Sequence, residues 1–545
     1  MNLKPRAETL TVVTAAEQKR IDRQAFADGV PEQSLMESAG RSVTQVVIRD
    51  IVDTLPSRTF AVIAGAGGNG GDAVVAAGVL AKAGYTVETY LAFPPERMTP
   101  AAAFHARALI EQTPGNVHVL PEEESDLRSR LLPALRSSCC VIDGLLGSGT
   151  TRAAEGRIAE IIAAMNHASG TVVSIDLPSG IPADDGSLIG PAVTADDTVA
   201  MHFLKPAHVL HPARRACGRL HIAGVAYPQR VLHDVKPIAR VPGLDALRSR
   251  LPERPETGHK GRFGRVLVVA GSRGMTGAAI LCCRAALRVG SGLVMLACPS
   301  SLEPVFEATL PEVITVPLPE RDGVLAGIET SRFRDVLATA DALAVGPGLS
   351  RHPLLTPMVE RLVAETPVPV VLDADGLWAF SGRPERIAQA QGERILTPHP
   401  GEMARLLDLS VAEIEDARLD IAREAADAAR ATVVLKGVPT VVSRPTSGSG
   451  GGATLLSLAG NHGLATGGSG DVLTGLIAGL IAQRTTPCDA AILGAWLHAR
   501  CADLYADGRS SRSLLPSDVI NMLPHVLYSL EHSGPQRSDR KAACG

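Results

Sequence analysis

Acids that follow apolar strands, and the glycine-rich loops beside them, are the residues of this chain best placed to do chemistry. From Gly460 to Gly475 the sequence reads GNHGLATGGSGDVLTG, with glycines, threonines and a serine set around one acid, Asp471. It runs on into the apolar, helix-length VLTGLIAGLIAQ. A loop of this kind leaves successive backbone N–H groups free and turns them, with the positive end of the following helix dipole, toward an anion. A carboxylate repels phosphate, so Asp471 needs a task there, either as a base or as a carrier of a metal ion. Beside a phosphate donor it would activate a substrate hydroxyl for phosphoryl transfer. The plainer alternative is a flexible glycine loop with an N-capping aspartate.

The first half of the chain offers a second group of acids. TFAVIAGAGGNGGDAVVAAG passes from a buried strand at 59–64 through a glycine turn into a helix, and a strand near 86–92 completes a βαβ unit. The turn fits G-x-G-x-x-G at Gly65, Gly67 and Gly70, by itself a weak signal for a dinucleotide. Asn69 and Asp72 depart from the common fingerprint. An amide and a carboxylate there suit a cation or a polar substrate better than a bare phosphate, unless Asp72 only caps the helix. CCVIDGLLGSGT sets Asp143, and TVVSIDLPSGI sets Asp176, where an apolar strand meets a loop. Ligands of open parallel sheets bind outside the carboxyl ends of the strands, so these four residues converge on one crevice if their strands are neighbours. Ser179 could add a hydroxyl oxygen to a hard-cation site with Asn69 and Asp143. Lys205, in TVAMHFLKPAH, either brings a positive group to the same side or lies solvated.

The alternation restarts at GRVLVVAGSRGMTGAAILCCRAALRVGSGLVMLAC. Further strands are expected at 342–348, 368–377, 394–402 and 432–443. They end in the Gly346-Pro347-Gly348 turn, in Asp373 and Asp375, in His399 and Glu402, and in Lys436. Lys436 beside Gly437 would neutralise a nucleotide phosphate, and Glu402 would hold a hydrated Mg²⁺. His399, in HPGE at a strand end, is a candidate ligand contact.

Elements enough to position these groups are available. At 545 residues the chain exceeds what one core usually supports, and two domains are the economical count. Aromatics make up 3% while glycines number 53, which favours Val/Ile/Ala-rich parallel sheets with glycine turns, an α/β fold class. A net charge of -4 and the lack of a basic block interleaved with aromatics argue against nucleic acid as a partner. The nine cysteines include Cys139–Cys140 and Cys282–Cys283 but no CxxC, and read as reduced thiols. The start of the chain lacks a signal-type apolar core, and no run reaches the roughly 18 apolar residues of a membrane span, so a cytoplasmic enzyme without membrane contact is expected. Residues 14–50 are expected to be helical, Thr14 and Glu17 forming a capping box. Residues 231–258, dense in proline and charge, read as a linker; GSGGGATLL near 448–456 reads as a disordered hairpin tip and 533–545 as an unstructured tail.

These motifs carry a resemblance. GAGGNGGDA, DGLLGSG and IDLPSG in the first half resemble the marks of the NAD(P)H-hydrate epimerases. HKGRFGRVLVVAGS, MTGAAIL, GPGL, DADGL, TPHPGE, LKG and GGSGDVLTG in the second are similar to those of the NAD(P)H-hydrate dehydratases of the ribokinase-like superfamily. The motifs run in family order over nearly all of residues 10–525, as in the bifunctional bacterial repair enzymes. The resemblance implies a Rossmann-like three-layer α/β/α epimerase domain over 1–230 and a ribokinase-like dehydratase domain over 259–532. The first would interconvert the R and S forms of NADHX or NADPHX, and the second would use ADP to dehydrate the S form.

By this similarity Asn69, Asp143 and Ser179 would bind K⁺. The hydrated cofactor would contact Gly68, Asn69, Gly70, Gly71 and Asp72, the loop from Gly147, Ser148, Gly149 and Thr150 to about Ala153, and Asp176, which is the candidate base. In the second domain Ala278, Gly346, Gly348, His399 and the base Asp471 would hold the substrate, with Mg²⁺ as cofactor. Lys436, Gly437, Val438, Pro439, Thr440 and Gly470 would hold the adenine nucleotide. A homo-oligomer is expected. Two positions depart from the family pattern, Gly68 where the family has Asn and Ala73 where it has Gly, so an added Cβ at residue 73 could tighten the start of the helix. Two other readings fit the residues: a small-metabolite kinase fused to a non-catalytic nucleotide-binding domain, and a sensor or scaffold that binds without turnover. TPHPGE with MTGAA favours the dehydratase, and retention of all three K⁺ ligands argues against the scaffold.

Overall fold

The computed structural model describes residues 8–121, 124–447, 452 and 454–532. They divide into two compact units, one spanning Leu10–Ile238 and the other beginning at Ala239. The tail 533–545 and most of the glycine thread at 448–453 lie outside the described residues. Among the described residues no helix is long and apolar enough to cross a membrane.

In the first unit seven parallel strands lie in the order Val117–Val119, Thr86–Leu91, Thr59–Ala64, Cys140–Gly144, Thr171–Ile175, Asp197–Met201, Arg219–Ala223. TFAVIA and TVVSI are nearly continuous apolar runs because both faces of the sheet are covered. Phe60 and Val62 pack with the helices Glu32–Asp50, Gly68–Lys82 and Pro100–Gln112, whereas Ala61 and Ile63 pack with Leu127, Ile161 and Ile162 on the other side. Thr14 does cap the helix Ala15–Ala27, its hydroxyl accepting from Glu17 N–H (3.1 Å). The capping box is not completed, because the Glu17 carboxylate turns to Arg20 (2.8 Å).

From Thr59–Ala64 the chain steps outward through two strands, then returns to place Cys140–Gly144 on the other side of the first. A crevice opens outside the strand ends where the order reverses in this way. The backbones meet there almost without side chains. Gly65 N–H donates to Gly144 O (3.1 Å), and a methyl group on Gly65 would stand 1.9 Å from Leu145 O. One on Gly70 would stand 1.9 Å from Gly65 O.

The second unit repeats the logic with the order Ala239–Val241, Thr454–Ser457, Thr440–Ser443, Thr432–Leu435, Arg394–Leu396, Val370–Leu372, Ala342–Val345, Arg265–Val269, Leu293–Pro299, Ile314–Leu318. Its reversal lies between Arg265–Val269 and Ala342–Val345. The helix Ser469–Ala482, apolar nearly all round, is buried against Thr276–Arg288; a methyl on Gly475 would come 2.1 Å from Cys282 O.

Four expectations change. The strands expected at 368–377 and 394–402 are only Val370–Leu372 and Arg394–Leu396, because the helices Asp375–Trp378 and Pro400–Leu407 begin within those stretches. Residues 432–443 form two antiparallel strands, not one, because Gly437 takes a φ of +138° and turns the chain. The stretch 231–258 is built into structure: the helix Gln229–His233 runs into it, Ala239–Val241 pairs in parallel with Thr454–Ser457, and Leu244–Arg248 is helical, with Arg248 Nε donating to Leu530 O (2.9 Å). Elements of three to five residues are too short to carry a period, and proline and charge dominate the local pattern.

The contacts at Gly65 give a stability test. Gly65→Ala is expected to destabilise the first unit by about 1–3 kcal/mol or more through overpacking against Leu145 O. Gly68→Ala, where the space around a Cβ is open, is expected to leave the urea midpoint unchanged.

Candidate functional site

In the first unit the strand ends enclose a cavity of about 800 Å³. Gly68, Asn69, Asp72, Gly147, Ser148, Gly149, Thr150 and Asp176 all line it, together with Thr151, Arg152 and Ala153. Gly70 and Gly71 are not on its wall: they face inward, Gly70 onto Gly65 and Gly71 onto Met36. Asp72 does not cap the helix. Gly67 is the N-cap of Gly68–Lys82, which puts Asp72 in the second turn. Ala73 is an ordinary buried helical residue without a positive φ, its methyl lying where Gly144 leaves room. Gly68 removes only a side chain that would have open space.

Asp176, just past Thr171–Ile175, has a φ of +61°. Lys205, fully buried rather than solvated, donates from Nζ to Asp176 Oδ1 (2.7 Å), and Ser148 N–H donates to Oδ2 (3.1 Å). Burial pushes this carboxyl up, but the Lys205 ammonium and these hydrogen bonds outweigh it and leave Asp176 below the usual carboxylate range. His208 Nδ1 accepts from Lys205 N–H (2.8 Å), so Nε2 carries the proton and donates to Asp176 O (2.6 Å). Burial, then the adjacent lysine, lowers this imidazole to about 4.

Asp143 lies within the strand Cys140–Gly144 rather than after it, and is fully buried. Ser174 Oγ donates to Asp143 Oδ2 (2.8 Å), as does Ser179 N–H (2.9 Å), and Ser179 Oγ donates to Oδ1 (2.5 Å). Asn69 Nδ2 donates to Leu146 O (2.7 Å), which is 3.2 Å from Ser179 Oγ. Asn69 and Ser179 therefore meet at one carbonyl, and Ser179 joins it to Asp143. Burial raises the Asp143 carboxyl, and hydrogen bonds alone oppose it. A buried carboxylate served by hydrogen bonds and no cationic side chain is a donor set that suits a cation.

In the second unit Lys436 sits among acids. Its Nζ is 2.9 Å from Asp373 Oδ1 and 3.4 Å from Glu402 Oε2, so its charge is already engaged. Thr474 Oγ1 donates to Asp373 Oδ2 (2.7 Å). The Gly470 Cα faces this group, and a methyl there would stand 3.1 Å from Lys436 Nζ. Gly346 has a φ of +128°, and a Cβ there would also strike Asp373 O; a methyl on Gly348 would touch Ala278 Cβ at 3.0 Å. His399 caps the helix Pro400–Leu407, Nδ1 accepting from Gly401 N–H (3.0 Å), while Glu402 accepts from His399 N–H (2.8 Å). The expected residues of this half thus form one contiguous cluster at the strand ends, with Val438 half exposed on the turn. Asp471 is in the first turn of Ser469–Ala482, after its N-cap Gly468. Burial first, then repulsion from Asp373, raises its carboxyl to about 7.

Several supporting residues gave no local signal. Buried Arg418 donates to Lys436 O (3.0 Å) and Pro439 O (3.1 Å), bracing the turn from 18 and 21 positions away. His498, lowered to about 4 chiefly by burial, lies 3.0 Å from Ser469 Oγ under the glycine loop. Tyr227 OH donates to Asp22 Oδ1 (2.6 Å) on the cavity wall.

Comparison with known proteins bears on the whole chain. Residues 266–525 match the family profile described as NAD(P)H-hydrate dehydratase, and residues 32–207 the one described as YjeF-related protein N-terminus. The bifunctional NAD(P)H-hydrate repair enzyme Nnr of Moorella thermoacetica is 38% identical over 522 residues, 95% of this chain and 97% of that protein. The chain belongs to this family of bifunctional repair enzymes. The Escherichia coli Nnr is 32% identical, covering 95% of this chain and 94% of its own. Among solved structures, the ADP/ATP-dependent NAD(P)H-hydrate dehydratase of Bacillus subtilis, co-crystallised with ATP/Mg²⁺, is 34% identical with a TM-score of 0.46, covering 53% of this chain and 97% of that one.

The buried pair gives a second test. Lys205→Met strands the Asp176 carboxylate and is expected to cost about 3–5 kcal/mol in urea unfolding. Adding Asp176→Asn is expected to return most of that loss.

Proposed function

We propose that this chain repairs hydrated nicotinamide cofactors. The first domain interconverts the R and S forms of NADHX or NADPHX, and the second dehydrates the S form with ADP. One observation carries the reading beyond family membership. Asp471 stands in the first turn after a glycine loop, beside the Lys436–Asp373–Glu402 cluster, with a carboxyl raised to about 7. That is a base matched to a neutral-pH proton transfer, next to backbone N–H groups suited to phosphate.

The chemistry follows from the substrate. Hydroxide is a poor leaving group, so the C6 hydroxyl is first phosphorylated. The Asp471 carboxylate takes the hydroxyl proton as the oxygen attacks the terminal phosphorus of ADP, and AMP departs. The C6–O bond then breaks with its electron pair on phosphate, a proton leaves C5, and the ring double bond returns. Phosphoryl transfer asks mostly for positioning and charge neutralisation. Asp373 and Glu402 share the ammonium of Lys436 with Asp471 beside them, and this excess of acids over cations suits a Mg²⁺ arriving on the nucleotide phosphates, which Glu402 would help to hold. Mg²⁺ would neutralise charge on the transferring group. With Lys436 tied to acids, its part is to hold the nucleotide turn against Gly470 rather than to contact phosphate freely.

In the first domain Asn69, Asp143 and Ser179 would hold K⁺, together with Leu146 O. The ion would neutralise Asp143 and fix the loop from Leu145 to Thr150 along the cavity. Asp176, kept ionised by Lys205, faces the same cavity and would bring a fixed negative charge to the bound cofactor.

Recovery of reduced cofactor from mixed epimers, followed by its near-ultraviolet absorbance, tests the reading. With Mg²⁺ and ADP present, kcat is expected to fall tenfold per pH unit below about 7 as Asp471 protonates. Asp471→Asn is expected to lower it by about 10²–10⁴-fold. A flat profile, or activity retained in the variant, would remove Asp471 from the role of base. Separately, K⁺ is expected to raise the thermal midpoint of the wild-type chain and not of Asp143→Asn.

A further inference from the structure

The cavity of the first unit holds an acid, Asp72, whose carboxyl no protein group among the described residues serves. Asp72, Asp22 and Asp176 all reach its wall, along with the exposed Glu32 and Glu155 and the amine of Lys205. Asp176 is held by Lys205 and Ser148, and Asp22 accepts from Tyr227 OH and from Gln18 Nε2 (3.2 Å). Among the described residues no protein group donates to the Asp72 carboxyl, which is partly open to the cavity. Its place is fixed all the same, since the helix that carries it is anchored by Gly70 on Gly65 and by Gly71 on Met36.

Resting on the epimerase reading above, we propose that Asp72 is the proton donor of the epimerisation, acting on the C6 oxygen of the hydrated cofactor. Asp72 gives its proton to the C6 hydroxyl, and the C6–O bond breaks to release water. The lone pair of the ring nitrogen makes the new double bond to C6. Water adds to the opposite face of C6 and loses a proton to the Asp72 carboxylate. Nothing is consumed, and the donor is restored with each turnover. Asp176, ionised against Lys205, balances the transient positive charge on the ring.

Electrostatics supports the assignment. Burial, then the carboxylates of Asp176 and Asp22, holds the Asp72 carboxyl well above the usual range, whereas Lys205 holds Asp176 below it. Two carboxyl groups pushed apart by their surroundings separate the group that carries a proton from the one that stays charged.

The test uses the full-length chain, R-NADHX, and Asp72→Asn beside Asp72→Glu. Wild type is assayed first, in water enriched in ¹⁸O. Epimerisation no faster than the spontaneous rate would overturn the epimerase reading itself, and this inference with it. If wild type is active, Asp72→Asn is expected to lose about 10²–10⁴-fold in kcat while its affinity for NADHX, from a binding titration, is kept. Asp72→Glu is expected to recover part of that loss, and solvent ¹⁸O is expected at C6 after each wild-type turnover. Asp72→Asn with an unchanged kcat, a loss confined to affinity, or epimerisation without ¹⁸O incorporation would each overturn the assignment. Should Asp72→Asn fail to bind NADHX because it misfolds, Asp72→Glu and the isotope decide.

Discussion

Where each sheet reverses its strand order, two backbones come together with no side chain between them, and the chemistry of the chain hangs on that contact. In the first unit Gly65 lies against Leu145 O; in the second Gly346 N–H donates to Val269 O (3.3 Å) across the reversal, and a Cβ on it would also strike Asp373 O at the end of the next strand. A Cβ at either position would push apart strands whose ends carry Asn69, Asp143 and Asp176, or Asp373, Lys436 and the turn facing Asp471. Glycine is needed here for approach distance, and at Gly346 also for a φ of +128°.

What gathers at these two points is similar in kind. Each crevice holds several carboxyl groups and one buried ammonium, Lys205 in the first and Lys436 in the second. Burial raises Asp72, Asp176, Asp373 and Asp471 alike, and the position of the ammonium decides which of these four stays ionised. Asp176 and Asp373 touch a lysine and stay low; Asp72 and Asp471 do not and rise. The separation into charged holders and proton-carrying groups comes from which acid the single cation reaches.

The sequence was informative where function is carried by a local pattern. Apolar runs ending in acids placed the central strands, and glycine spacing placed both loops, because a strand covered on both faces and a loop that must approach closely leave few residue choices. It was uninformative where partners are distant. Nothing near Arg418 marks it as the brace of the 436–439 turn, and nothing near Lys205 tells a solvated lysine from the buried partner of Asp176. Short elements escaped for a related reason: Ala239–Val241 has too few residues to show an alternation, and the turn at Gly437 split an apparent single strand in two. Gly70 and Gly71 have a packing role that the motif does not show, since a Cβ on them would strike Gly65 and Met36.

The central claim is that one chain carries both steps, so the most direct measurement starts from the pure R epimer. With ADP, Mg²⁺ and K⁺ present, reduced cofactor is expected to form to completion, and faster than R converts spontaneously to S. Formation no faster than spontaneous epimerisation, by a chain that consumes pure S readily, would contradict the account and leave a dehydratase with a first domain that binds without turnover.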